Sequence, residues 1–189
     1  GGVLDATVLA AMSLAEKLEL DVLEELLVLW DYLGGIIADK GPEGPPPAQR
    51  LALARKLEPL LIRVADLTGR LAARRPSDDP LVPRSRMRLR WLAEYYDKKL
   101  ARSSRAADFL TLPRASAAAA AALWRMDDPE AEEIVASVAL SRDREAADIL
   151  AWRVGGTRPE RAFELGMKWV SPLDAPAGKR ELSDSRRAI

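Results

Sequence analysis

Two residue types are missing altogether: the 189-residue chain contains no cysteine and no histidine. Without cysteine there is no disulfide, thiolate zinc site, iron–sulfur cluster or cysteine nucleophile. Without histidine the commonest general base, the usual transition-metal ligand and the Ser-His-Asp mechanism are gone. A di-iron centre built on Glu-x-x-His is excluded as well. Nor does the sequence contain a Gly-x-x-x-x-Gly-Lys-Ser/Thr phosphate loop or a Gly-x-Gly-x-x-Gly turn. Carboxylate, lysine or tyrosine chemistry survives, but no constellation of such groups stands out. The expectation is a protein that is not an enzyme and holds no cofactor or metal.

Other scarcities bear on fold and location. Only two phenylalanines occur and β-branched residues are few, whereas alanine and leucine dominate, a composition that favours helix over strand. The most apolar stretch, Leu18 to Ile37, carries Glu19, Asp21, Glu24, Glu25 and Asp31, which a bilayer-spanning helix would not tolerate. No charged n-region of a secretory signal precedes Gly1-Gly2-Val3. The expected location is the cytoplasm, with no membrane contact.

What is present is helical periodicity. Leu14, Leu18, Val22, Leu26, Leu29, Leu33 and Ile37 recur every three or four residues, predicting one long helix, or two joined end to end, over 3–39. "KGPEGPPPAQ" breaks it. Leu53, Leu57, Leu60, Val64, Leu67 and Leu71 then form a heptad seam on a helix from about 48 to 73, with Pro59 inside it. Pro83 is expected to open a third helix reaching about Leu110. The alanine run from Ala115 to Met126 predicts a fourth. "DDPE" has the form of a helix start, with Asp128 as N-cap and Pro129 first. Shorter helices follow over 130–140, 142–154 and 159–170, the last after a break at "GGT".

The expected fold is therefore all-α: an irregular helical bundle of about six to seven helices with an extended C-terminal tail. Residues 1–112 are read as the main bundle, 113–170 as a second helical unit or its continuation, and 171–189 as a coreless tail for something outside the chain to hold.

Zero net charge hides a division. Residues 1–40 carry eight acids against two lysines, residues 74–105 ten bases against four acids, and residues 127–150 eight acids against two bases. Such blocks pair either inside the fold or between copies, and between copies they support head-to-tail association.

The basic block contains "RSRMRLRWLAEYYDKK", Arg84 to Lys99. At about 100° per residue, Leu89, Leu92, Tyr96 and Leu100 make one apolar stripe. Met87, Arg88, Trp91, Tyr95, Lys98 and Arg102 make a second, almost opposite, in which aromatics alternate with cations. Rings for bases and cations for phosphates are what a single-stranded nucleic-acid groove requires, so Arg84, Arg88, Trp91, Tyr95, Lys98 and Arg102 are the candidate contact residues for a partner or a nucleic acid. The blander account has arginine stems covering apolar surface while Trp91 and Tyr95 fill a core.

Two weaker patterns remain. "SRDREAADILAWRVGGTRPERAFELGMKWV" outlines a helix-turn-helix, with Arg158 and Arg161 at the start of its second helix, but the turn is long and Ala151 stands where glycine is usual. "DDPEAEE" resembles the aspartate-rich magnesium motifs of prenyl-chain enzymes, yet only Asp128 and Glu132 share a face and the N-cap account suffices.

The leading expectation is a non-catalytic scaffold or adaptor subunit of a larger assembly, whose partners are other protein subunits or copies of itself rather than a small-molecule substrate. The alternative is an accessory subunit binding single-stranded RNA or DNA through residues 84–102, similar in size and helicity to the small helical subunits of RNA-guided complexes.

Overall fold

The structure, a computed structural model, describes residues 2–37, 47–100, 112–139 and 144–170. The tail from 171 onward and Arg102 lie outside these residues. Eight helices and no strand occur among the described residues: α1 (Gly2–Lys17), α2 (Leu23–Ile37), α3 (Pro47–Ala72), α4 (Leu81–Leu100), α5 (Pro113–Arg125), α6 (Ala131–Ala139), α7 (Arg144–Thr157) and α8 (Pro159–Val170). The fold is all-α. No helix of the described residues is long and apolar enough to cross a membrane.

The helix count exceeds six to seven because the first periodic segment divides. Glu19 takes a left-handed conformation (φ 53°), which an α-helix cannot contain. Asp21 then accepts a 3.3 Å hydrogen bond from the Leu23 amide and opens α2. The start of α4 also moves. Leu81 donates its amide to Asp79 Oδ1 at 2.8 Å, so Asp79 caps the helix and Pro83 sits within its first turn, where a missing amide costs nothing.

One apolar cluster runs from Met12 to Leu165, and α5 lies in its midst, packed against α3, α4, α6 and α7. Every residue from Ala115 to Trp124 is buried. A helix enclosed on all sides needs small side chains if its neighbours are to approach closely, and the alanine run meets that need. The approach is tightest at Gly69 of α3, where a Cβ would lie 2.6 Å from the Ala122 Cβ and 2.9 Å from its Cα. Glu58 of α3 accepts the Arg114 and Ala115 amides at 3.1 and 3.3 Å, placing a carboxylate at the positive end of α5.

The heptad seam of α3 is absorbed by this core. Leu57, Leu60, Val64, Leu67 and Leu71 are buried, and only Leu53 of the six is exposed. Polar bonds fix the packing. The Trp30 indole N–H donates to Thr68 Oγ1 at 3.0 Å, tying α2 to α3, and Ser116 Oγ donates to the Leu92 carbonyl at 3.1 Å, tying α5 to α4.

Candidate functional site: the arginine face of α4 and an arginine-lined cleft

The residues singled out on α4 meet different fates. Arg84 is exposed. Arg88 forms an ion pair with Asp31 of α2. Trp91 is half-buried and packs against the core, while Met87 stays exposed. Tyr95 and Lys98 lie on α4, with their side chains outside what is described. Beside them Arg86 donates to the Met126 carbonyl at 3.2 Å and pairs with Asp128 at 3.5 Å. Arg90 reaches both Asp128 oxygens and Glu130 Oε1, each at 2.8 Å.

These contacts locate partners for the segregated charge. The basic block meets the first acidic block through Arg75–Asp21 and Arg88–Asp31, and the second through Arg86 and Arg90. Among the described residues, the blocks thus pair within one chain, which removes much of the sequence argument for head-to-tail association. At α4, Arg88 is engaged by Asp31, and Arg86 and Arg90 by Asp128, whereas Arg84 is exposed.

The helix-turn-helix outline departs from the structure at its turn. Gly155 and Gly156 lie inside α7, which continues to Thr157; its hydroxyl donates to the Arg153 carbonyl at 2.9 Å. Arg158 and Arg161 turn back into the fold. Both donate to Asp127 Oδ1, at 2.6 and 2.8 Å, and Arg161 also binds Glu132 at 3.0 Å. The Arg161 guanidinium stands 5.0 Å from the centroid of the Trp124 ring, within cation–π range. Asp128 keeps its foreseen capping role, accepting the Glu130 amide at 3.0 Å.

A second basic region was not anticipated. Arg63, Asp66 and Arg70 of α3, Arg125 of α5, and Trp152 and Arg153 of α7 line a cleft of about 800 Å³. Glu16 of α1 pairs with both Arg63 (2.5 Å) and Arg70, and Asp66 pairs with Arg153. Arg125 has a buried Nη1 with no hydrogen-bond partner among the described residues. Two carboxylates therefore face four guanidiniums, leaving an excess of two positive charges.

That excess is felt by the arginines themselves. Burial lowers the Arg125 pKa; Asp66 opposes the shift, while Arg70 and Arg153 add to it. Burial likewise lowers Arg70, with repulsion from Arg74 and Arg153 in the same direction. Partly dehydrated like charges of this kind are relieved by a counter-anion. Trp152 lies at the rim with 84% of its surface exposed.

The cleft draws on α1, α3, α5 and α7, so its members are scattered along the sequence. The one local signal is Arg63, Asp66 and Arg70 at i, i+3 and i+7, a charged row on a helix otherwise notable for its leucines. No known family model, curated protein or solved structure matches the chain.

Proposed function

We propose that the protein is a non-catalytic helical scaffold or adaptor that holds another protein subunit, or a second copy of itself, against its α1–α2 surface. The observation carrying this reading is a set of large apolar side chains left open there. Leu14 on α1, Leu18 and Leu20 just after it, and Val28 and Tyr32 on α2 are between 50% and 64% exposed. Leu14 and Leu18, like Val28 and Tyr32, are spaced i, i+4, so each pair projects from one face. Leu14 and Leu18 belong to the periodic stripe whose members Leu26, Leu33 and Ile37 enter the core, whereas Leu20, Val28 and Tyr32 lie off it. Tyrosine and large aliphatic groups that lack intramolecular cover are suited to the buried centre of an interface.

The test is mass in solution. Wild-type protein is expected to run as a dimer or with a co-purifying subunit at micromolar concentration, and Leu18→Glu with Tyr32→Ala is expected to return it to a monomer with unchanged helicity. A wild-type monomer that retains no partner would overturn the proposal.

A further inference from the structure

We propose that the cleft between α3, α5 and α7 is a binding site for a dianionic phosphoryl group carried on a flat heterocycle, a ligand of the nucleotide type. Its charge excess matches the load of a phosphate monoester, which carries close to two negative charges at neutral pH. The carbonyl ends of α7 subtract about half a charge from that excess, so the cleft remains cationic. Guanidinium forks are the groups that grip phosphate oxygens in pairs. Arg125 is the natural centre of the grip. Its Nη1 is buried with no hydrogen-bond partner among the described residues, so a phosphate that reaches it supplies a missing acceptor, whereas Arg63, Arg70 and Arg153 are already ion-paired.

Size and rim chemistry point beyond a bare anion. A cleft of about 800 Å³ has the capacity of a small-molecule site and exceeds what one phosphate fills. Trp152 borders it with its ring open to solvent, and an aromatic face beside a phosphate grip stacks on a base. Asp66 and Glu16 hold Arg153, Arg63 and Arg70 in place before a ligand arrives, and such preorganisation lowers the entropic cost of binding. The cleft shares α1 with the proposed docking surface through Glu16, but its ligand test reads anion binding and not association, so the two proposals fail separately.

The experiment is a titration with AMP, adenosine and inorganic phosphate, read by thermal melting and tryptophan fluorescence, with sodium chloride at matched ionic strength as control. AMP is expected to raise the melting midpoint and quench fluorescence. Inorganic phosphate should give a weaker rise without quenching, and adenosine neither. Arg125→Gln should weaken AMP binding at least about tenfold, the loss of a charged hydrogen-bonding group. Arg125→Lys, which keeps the charge but not the fork, should fall between. Trp152→Phe should abolish the quench. Far-UV circular dichroism confirms that the variants fold. No response to either phosphate probe beyond the salt control, or an equal response in Arg125→Gln, would overturn the site. Equal affinity for AMP and inorganic phosphate would overturn the heterocycle and the role of Trp152.

Discussion

Arg90 sets one guanidinium nitrogen 2.8 Å from each carboxylate oxygen of Asp128, whose side chain has no exposed surface. Asp128 faces Arg86 as well and accepts the Glu130 amide ahead of α6. One carboxylate therefore joins α4 to the start of α6 and faces two cations, one of which, Arg90, also meets Glu130. Removing Asp128 takes the carboxylate from both Arg86 and Arg90, of which Arg90 keeps Glu130. Asp128→Ala is expected to cost about 3–5 kcal/mol in urea denaturation, and Asp128→Asn, which keeps an acceptor for the cap, less. A loss under about 1 kcal/mol, the range of exposed pairs, would mean that water screens the contact.

Glycine substitutions should give opposite signs at two places. At Gly69 an added Cβ meets the Cα and Cβ of Ala122, and neither can swing aside, so Gly69→Ala is expected to destabilise by about 1–3 kcal/mol. At Gly34, within α2, nothing lies within 4 Å. Gly34→Ala should stabilise by about 0.5–1 kcal/mol, because alanine loses less backbone freedom in a helix. The two melting midpoints, compared with wild type, check both signs.

Thr68→Val should cost about 1–3 kcal/mol. It keeps the shape of the side chain but deprives the buried Trp30 indole of its acceptor. A nearly neutral Thr68→Val would show that the indole finds another partner.

Stability against pH should be flat near neutrality and fall only in acid. No histidine is present to titrate between pH 5 and 8. The Asp79 carboxyl is held low by the Leu81 amide and then by Arg75, and that of Asp127 by hydrogen bonds from Arg158 and Arg161. A carboxylate with a depressed folded-state pKa contributes stability in full above its unfolded pKa and loses it as pH falls through the folded one. The decline should therefore begin below about pH 4. Asp127→Asn should make the acid limb of a denaturation series shallower; an unchanged limb would show that the Arg158 and Arg161 contacts are not maintained in solution.

The helices were legible because their periodicity is local. Alanine-rich 115–126, the leucine seam of α3 and the Asp128 cap announced themselves within a few turns of chain. That the first segment could be two helices was legible, but the position of the break after Lys17 was not, since its cause is one backbone angle at Glu19, a residue that propensity places comfortably in a helix. Gly155-Gly156 erred the other way, read as a turn although α7 runs through it. Charge blocks could be counted from sequence, but whether Arg90 meets Asp128 across 38 residues depends on how α4 and α6 pack. The cleft was least legible, because Arg125 acquires meaning only beside Arg70 and Arg153.

The burial of α5 also bears on the order of events during synthesis. Until the stretch from Pro113 to Arg125 has left the ribosome, α3 and α4 lack the slender spindle against which both pack. A nascent chain halted before Pro113 would expose a greasy trough suited to chaperone capture, and some dozen further residues would be enough to fill it.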